Sequence, residues 1–185
     1  MSDGQSFQTQ LVEQLPALRG FARTLAKDMS HADDLAQETM LKAWANRHRF
    51  QQGTNLRAWL FTILRNAFYS EYRKQKREVA DVDGVHADRL TERPSQEDSL
   101  ALGDFFDAFM KLSADQREAL VLIGAAGLSY DEAADVVGVA PGTVKSRVSR
   151  ARTELAYLLD VDQGADLVSD KLMDAAIGQM TSPAA

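Results

Sequence analysis

Apolar residues recur along the chain at steps of three and four, and runs alternating apolar with polar are almost absent, so the pattern predicts an all-α protein. Leu11, Leu15, Leu18, Ala22 and Leu25 trace the first helical face. Pro16 falls among them and is expected to kink or restart the helix, because it has no N–H for the preceding turn. Ser30 and Asp33 form an S-x-x-D start for a helix running through Trp44. Residues 47–55, RHRFQQGTN, read as a loop in which Gly53 and Asn55 supply the turn chemistry. From Leu56 a long helix begins, with Trp59, Leu60, Ile63, Leu64 and Ala67 on one stripe.

The periodicity lapses over residues 78–99, which carry acidic groups, Gly84 and Pro94 and read as a flexible acidic linker. The expected organisation is therefore two small helical domains, 1–77 and 100–160, joined by that linker. In the second, Phe105, Phe106, Phe109 and Leu112 are core candidates, and Ser113 with Gln116 and Ser129 with Glu132 are capping boxes. Residues 161–185 form a tail expected to be partly disordered or to hold one weak helix around Leu167, Leu172, Met173 and Ile177.

Charge sharpens this division. The chain has a formal net charge of −6, yet residues 1–77 hold 12 Lys/Arg against 7 Asp/Glu, and residues 78–104 hold 2 against 8. An acidic joint thus follows a basic block. With no Cys, disulfides, thiolate metal sites and Cys nucleophiles are excluded, and His31, His48 and His86 lack ligand spacing. There is no leader-like segment and no apolar run near the roughly 20 residues that span a bilayer, so a cytoplasmic protein without membrane insertion is expected.

The strongest motif is GLSYDEAADVVGVAPGTVKSRVSRAR, residues 127–152. Ser129 caps a short helix, Gly138 ends it in the left-handed conformation, Val139 plugs the turn, and Pro141 opens a second helix. On that second helix Val144, Val148, Ala151 and Leu155 make a narrow buried stripe. Thr143, Lys145, Ser146, Arg147, Ser149, Arg150 and Arg152 point outward, the surface of a helix-turn-helix reading helix in a major groove. GVAPGTVKS is no phosphate loop, because Gly142 is followed by Thr-Val and not by Lys-Ser.

Two further faces carry chemistry. On the long helix, Phe61, Arg65, Tyr69, Tyr72, Arg73 and Lys76 interleave aromatic and cationic groups, which suits unstacked bases of single-stranded nucleic acid. Phe61 and Tyr72 fit an ordinary buried core equally well. On the helix after Ser30, Asp34, Gln37, Glu38 and Leu41 fall at i, i+3, i+4 and i+7, an acidic strip with an exposed leucine that suits a basic protein partner. The macrodipole accounts equally for Asp33 and Asp34 near the helix start, but not for Gln37 and Glu38.

HADDLAQETMLKAW, FQQGTNLRAWLFTILRNAFYSEYRK and LSADQREALVLIGAAGLSYDEAADVVGVAPGTVKSRVSRARTEL together resemble a bacterial extracytoplasmic-function sigma factor over residues 7–160, in family order. The resemblance implies a region-two bundle and a region-four helix-turn-helix acting as the promoter-specificity subunit of RNA polymerase. It implies that Asp33, Asp34, Gln37 and Glu38, with Leu41, meet the clamp of the largest polymerase subunit. It gives −10 element reading and melting to the loop Phe50–Asn55 and the helix after it, with Arg57, Phe61, Arg65, Tyr69, Tyr72 and Arg73, and −35 reading to the helix from Pro141. The acidic linker and the wording GTNLRAWLFTILRNAFYSEYRK are most similar to the general-stress-response subgroup of alphaproteobacteria, which implies a small NepR-type anti-sigma partner. Ala140 departs from the family where a capping Ser is frequent, and His31 where an acidic residue is. No cofactor is implied, and no nucleophile, metal cluster or phosphate loop supports an enzyme. The competing readings are an autonomous helix-turn-helix regulator and a sigma-mimicking anti-anti-sigma protein. The first leaves the acidic strip and the aromatic-basic face without a task; against the second, the chain has no attached receiver domain and keeps its basic reading helix.

Overall fold

The computed structural model describes residues 6–26, 28–80 and 100–160. Its elements are α1 (Phe7–Glu13), α2 (Leu15–Leu25), α3 (Met29–Ala45), α4 (Leu56–Ala80), α5 (Leu100–Lys111), α6 (Ala114–Leu120), α7 (Tyr130–Val137) and α8 (Pro141–Leu158). There is no strand among the described residues. The chain divides into two compact units, Met1–Glu92 and Arg93–Ala185.

In the first unit α2, α3 and α4 pack around Leu18, Phe21, Leu35, Leu60, Phe61 and Leu64, all buried. Ala22, Ala32, Ala36 and Ala43 are fully covered, and their small side chains let the helices approach closely. Pro16 does restart the helix: it occupies the first turn of α2, where a missing N–H costs nothing. Two buried hydroxyls are satisfied by their own helices, Thr24 Oγ1 donating to Phe21 O and Thr39 Oγ1 to Leu35 O, both at 2.7 Å.

The start of α3 differs from the S-x-x-D expectation. Asp28 is the N-cap, its Oδ1 accepting from His31 N at 2.8 Å, and Ser30 already lies within the helix. Asp33 is thereby released from capping. The loop ahead of α4 contains a 3-10 turn at Arg47–Arg49 and a left-handed Gly53 with φ 89°. Asn55 Oδ1 accepts from Arg57 N and Ala58 N, which fixes the start of α4. That helix continues to Ala80, three residues into the segment expected as linker. The rest of that segment, and the tail with its candidate helix, lie outside the described residues.

In the second unit Phe105, Phe109 and Leu112 are buried as expected, whereas Phe106 is half-buried. Both capping boxes are present, Ser113 with Gln116 and Ser129 with Glu132. A feature with no counterpart in the sequence reading is a widened π turn over Val121–Ala125, closed by Ala126 N donating to Val121 O at 2.8 Å. Gly138 ends α7 at φ 76°, the left-handed cap that a residue with a Cβ adopts only under strain. Ala140 gives α8 no side-chain cap, and Val144, Val148, Ala151 and Leu155 are its buried residues.

Phe61 and Phe21 pack in a tilted pair with ring centroids 4.6 Å apart, and Phe61 is 1% exposed. Phe61→Ala should therefore destabilise the first unit by about 3–5 kcal/mol. Denaturant unfolding followed by tryptophan emission measures this directly, since Trp44 and Trp59, the chain's 2 tryptophans, both belong to that unit.

Candidate nucleic-acid and protein interfaces

Helix α3 turns Ala32, Leu35, Ala36, Thr39 and Ala43 into the bundle, which obliges Asp34, Gln37, Glu38 and Leu41 to face solvent. Leu41 is 71% exposed. Glu38 pairs with Lys42 one turn later at 2.6 Å, a surface contact of small energetic value. Asp33 belongs elsewhere. Its Oδ1 lies 3.1 Å from Arg19 Nε of α2, so it braces α2 against α3. Burial lowers the Arg23 pKa from its ordinary value; Asp33 pushes it back up and Arg19 adds a smaller downward push. Four of the five residues expected on the ridge are thus exposed there, and Asp33, partly covered, is engaged by Arg19.

Helix α4 presents its aromatic and cationic groups in two ways. Arg65 lies over the Tyr69 ring at 4.6 Å, Arg73 Nε donates to Tyr69 O at 3.1 Å, and Tyr72 is 50% exposed. Phe68, which the sequence reading did not single out, stacks on Tyr72 at 6.4 Å and meets Tyr69 edge-on at 5.2 Å. Its spacing of four from Tyr72 is the signal that would have found it. Phe61 is corrected from a DNA-facing to a core residue, because the ring is covered by Phe21 and cannot receive a base.

At the head of α4, Phe50 and Trp59 approach to 5.4 Å, and Phe7 of α1 joins them at 5.9 and 6.5 Å. Trp44 completes the group, 6.4 Å from Phe7 and covered in part by the Arg47 guanidinium at 4.8 Å. Arg57 donates from Nε to Gln14 Oε1 at 2.8 Å. These rings lie far apart in sequence, and no periodicity links them.

On α8 the outward set separates likewise. Lys145, Ser149, Arg150 and Arg152 are exposed, and Thr143 and Ser146 are half-buried with Ser146 Oγ donating to Thr143 O. Arg150 lies back along the helix, donating to Ser146 O at 3.2 Å and Ser146 Oγ at 3.1 Å, and Lys145 sits 5.4 Å from the Tyr130 ring. Arg147 was expected to face outward, but it meets Asp115 of α6 at 2.6 Å and its side chain is only 19% exposed. A second contact beside it, Gln116 Nε2 to Glu154 Oε2 at 2.8 Å, also joins α6 to α8.

Among the described residues no group of three potential metal-ligating side chains occurs, and no helix is long and apolar enough to cross a membrane.

Comparison with known proteins places the two units separately. Residues 11–78 match the family described as Sigma-70 region 2, and residues 103–155 match Sigma-70, region 4. The chain is 50% identical to the ECF RNA polymerase sigma factor EcfG of Rhodopseudomonas palustris, over 94% of its own length and 96% of that protein. It is 30% identical to the RNA polymerase sigma factor CarQ of Myxococcus xanthus, over 83% and 89% of the two chains. Among solved structures, the sigma factor RpoE of Bartonella quintana, crystallised with the anti-sigma factor NepR, superposes with a TM-score of 0.76 at 54% identity, covering 86% of this chain and 99% of that one. Half of the sequence is thus shared with one such factor across nearly its whole length, and the chain belongs to the extracytoplasmic-function RNA polymerase sigma factors of the sigma-70 family.

Proposed function

We propose that the two units divide one task, promoter-specific initiation by RNA polymerase. The exposed ridge of α3 (Asp34, Gln37, Glu38 and Leu41) docks on the polymerase clamp. The loop Phe50–Asn55, with Arg57 and the α4 face of Arg65, Tyr69, Tyr72 and Arg73, captures the unpaired −10 strand. Helix α8 reads the −35 duplex through Thr143, Lys145, Ser146, Ser149, Arg150 and Arg152. Arg147 joins them only by exchanging Asp115 for DNA, and Asp33 acts behind the clamp surface by holding α2 to α3. The protein works in the cytoplasm beside the polymerase, and no residue has a catalytic role.

The observation that carries this reading is the coexistence, in one acidic chain, of an exposed anionic ridge and a capped helix-turn-helix whose second helix presents cations. An autonomous operator-binding protein has no use for the ridge. Linking the two units makes the second promoter contact intramolecular, so neither has to hold DNA strongly alone. Control by a NepR-type anti-sigma protein is supported by likeness to a factor crystallised with NepR, and a general-stress regulon by likeness to EcfG.

Reconstituted transcription tests the whole reading: chain plus core polymerase should initiate from defined positions in a promoter library, and neither alone should. Protection of a duplex operator by the chain alone, with no initiation, would favour the autonomous regulator.

Asp34→Lys with Glu38→Lys should weaken core-polymerase binding by roughly 2–5 kcal/mol, while unfolding stability changes by about 0.5 kcal/mol or less, as expected for exposed sites. Competition against the unmodified chain for core polymerase measures the first, and denaturant titration the second. Tyr72→Ala should reduce binding of single-stranded −10 DNA by the holoenzyme by about 1–3 kcal/mol, and Arg150→Ala should weaken −35 recognition by about 1–3 kcal/mol. Swapping the altered element between promoter templates distinguishes these two losses.

A further inference from the structure

We propose that Phe7 and Gln14, near the two ends of α1, are positioning residues that hold the −10 reading loop in its working geometry. The inference rests on the role proposed above for that loop. Helix α1 contributes one buried residue, Leu11, and leaves Val12 57% exposed, so its part in the hydrophobic core is slight. Its longest-range contacts go to the loop and the elements flanking it. Phe7 meets Phe50 at the start of the loop, Trp59 on the first turns of α4 and Trp44 at the end of α3. Gln14, the C-cap of α1, accepts from Arg57 Nε just past the other end of the loop.

The loop itself has little to hold it. Residues 51–55 are exposed, Gly53 is left-handed, and the bonds across the turn are Thr54 N and Thr54 Oγ1 to Gln51 O, at 3.2 and 2.7 Å. Asn55 orders the start of the helix that follows. Phe50 seats the start of the loop on the bundle, and Phe7 and Trp59 are the rings it is seated against. A base-capturing loop works by being ordered in advance, since disorder must otherwise be removed when the strand arrives. Removing one ring of the seat should leave the bundle folded and the loop misplaced.

The test uses the full chain, free and as holoenzyme, on a promoter at which it initiates. Phe7→Ala should shift tryptophan emission to the red, because both tryptophans border Phe7. In the holoenzyme it should slow open-complex formation about tenfold, a magnitude matching the loss of aromatic pairs of this kind. It should also flatten discrimination among single-base −10 substitutions on pre-opened templates. Core-polymerase affinity and dependence on the −35 element should stay within about twofold, since the exposed α3 ridge and α8 are untouched. Phe7→Tyr, which keeps the ring, should restore all three readouts. Gln14→Ala should act in the same direction through Arg57.

A red-shifted emission with unchanged opening and −10 discrimination in both Phe7→Ala and Gln14→Ala overturns the proposal, as does an equal fall in core affinity, which would mark a general fold defect. Replacing two exposed loop residues that do not cap α4, Gln51→Ala with Gln52→Ala, separates this from failure of the loop's own role. If that double variant leaves −10 discrimination intact, the loop is not the reader and the proposal falls with it; if it abolishes discrimination and Phe7→Ala does not, only the seat is refuted.

Discussion

An α-helix has one circumference, and every residue placed on its buried stripe limits what the remaining faces can present. The working surfaces of this chain follow from that constraint. On α8 the four buried residues fall at steps of four, three and four, leaving a wide outer face for hydroxyls and cations. On α3 a stripe rich in alanine presses the helix close to its neighbours and turns Asp34, Gln37, Glu38 and Leu41 outward. Helix α4 changes use along its length, with Leu60, Phe61 and Leu64 in the core near its head and exposed Tyr72 and Arg73 farther on.

Where a role depended on one helix and its period, it was legible in the sequence. The two capping boxes, the proline restart of α2, the left-handed Gly138 and the buried stripe of α8 each need only a few neighbouring residues. Where a role depended on a second helix it was not. Arg147 and Asp33 are indistinguishable from other surface charges until α6 supplies Asp115 and α2 supplies Arg19. Phe61 and Tyr72 share a helix and an aromatic character, and only the presence of Phe21 opposite one of them decides which is core. The start of α3 was misread for a local reason: Asp28 and Ser30 are both good caps, and the extended backbone at Asp28 settles the competition.

Charge in this protein is rationed by pairing. The chain is acidic overall, yet some of its cations and anions are taken up internally, so the field seen by DNA or by a partner is not the one counted along the sequence. The Arg147 side chain is largely covered while Asp115 is half-exposed, so this pair neutralises a cation of α8 at its contact with α6. The sequence count of cations on α8 therefore exceeds the number it presents to solvent.

The widened turn at Val121–Ala125 lets the chain carry an extra residue as it leaves α6. A turn of this type carries one residue more than the regular helical repeat, and its first two residues, Val121 and Leu122, are buried, so the surplus is absorbed inside the unit. Deleting a single residue there would restore the ordinary repeat and leave the direction of the following segment nearly unchanged, because four residues of regular helix sweep about the same angle as the five of the widened turn. Chain length across those five positions is thus tolerant by one residue, and what a shortened chain would lose is the bulge itself with part of the burial of Val121 and Leu122.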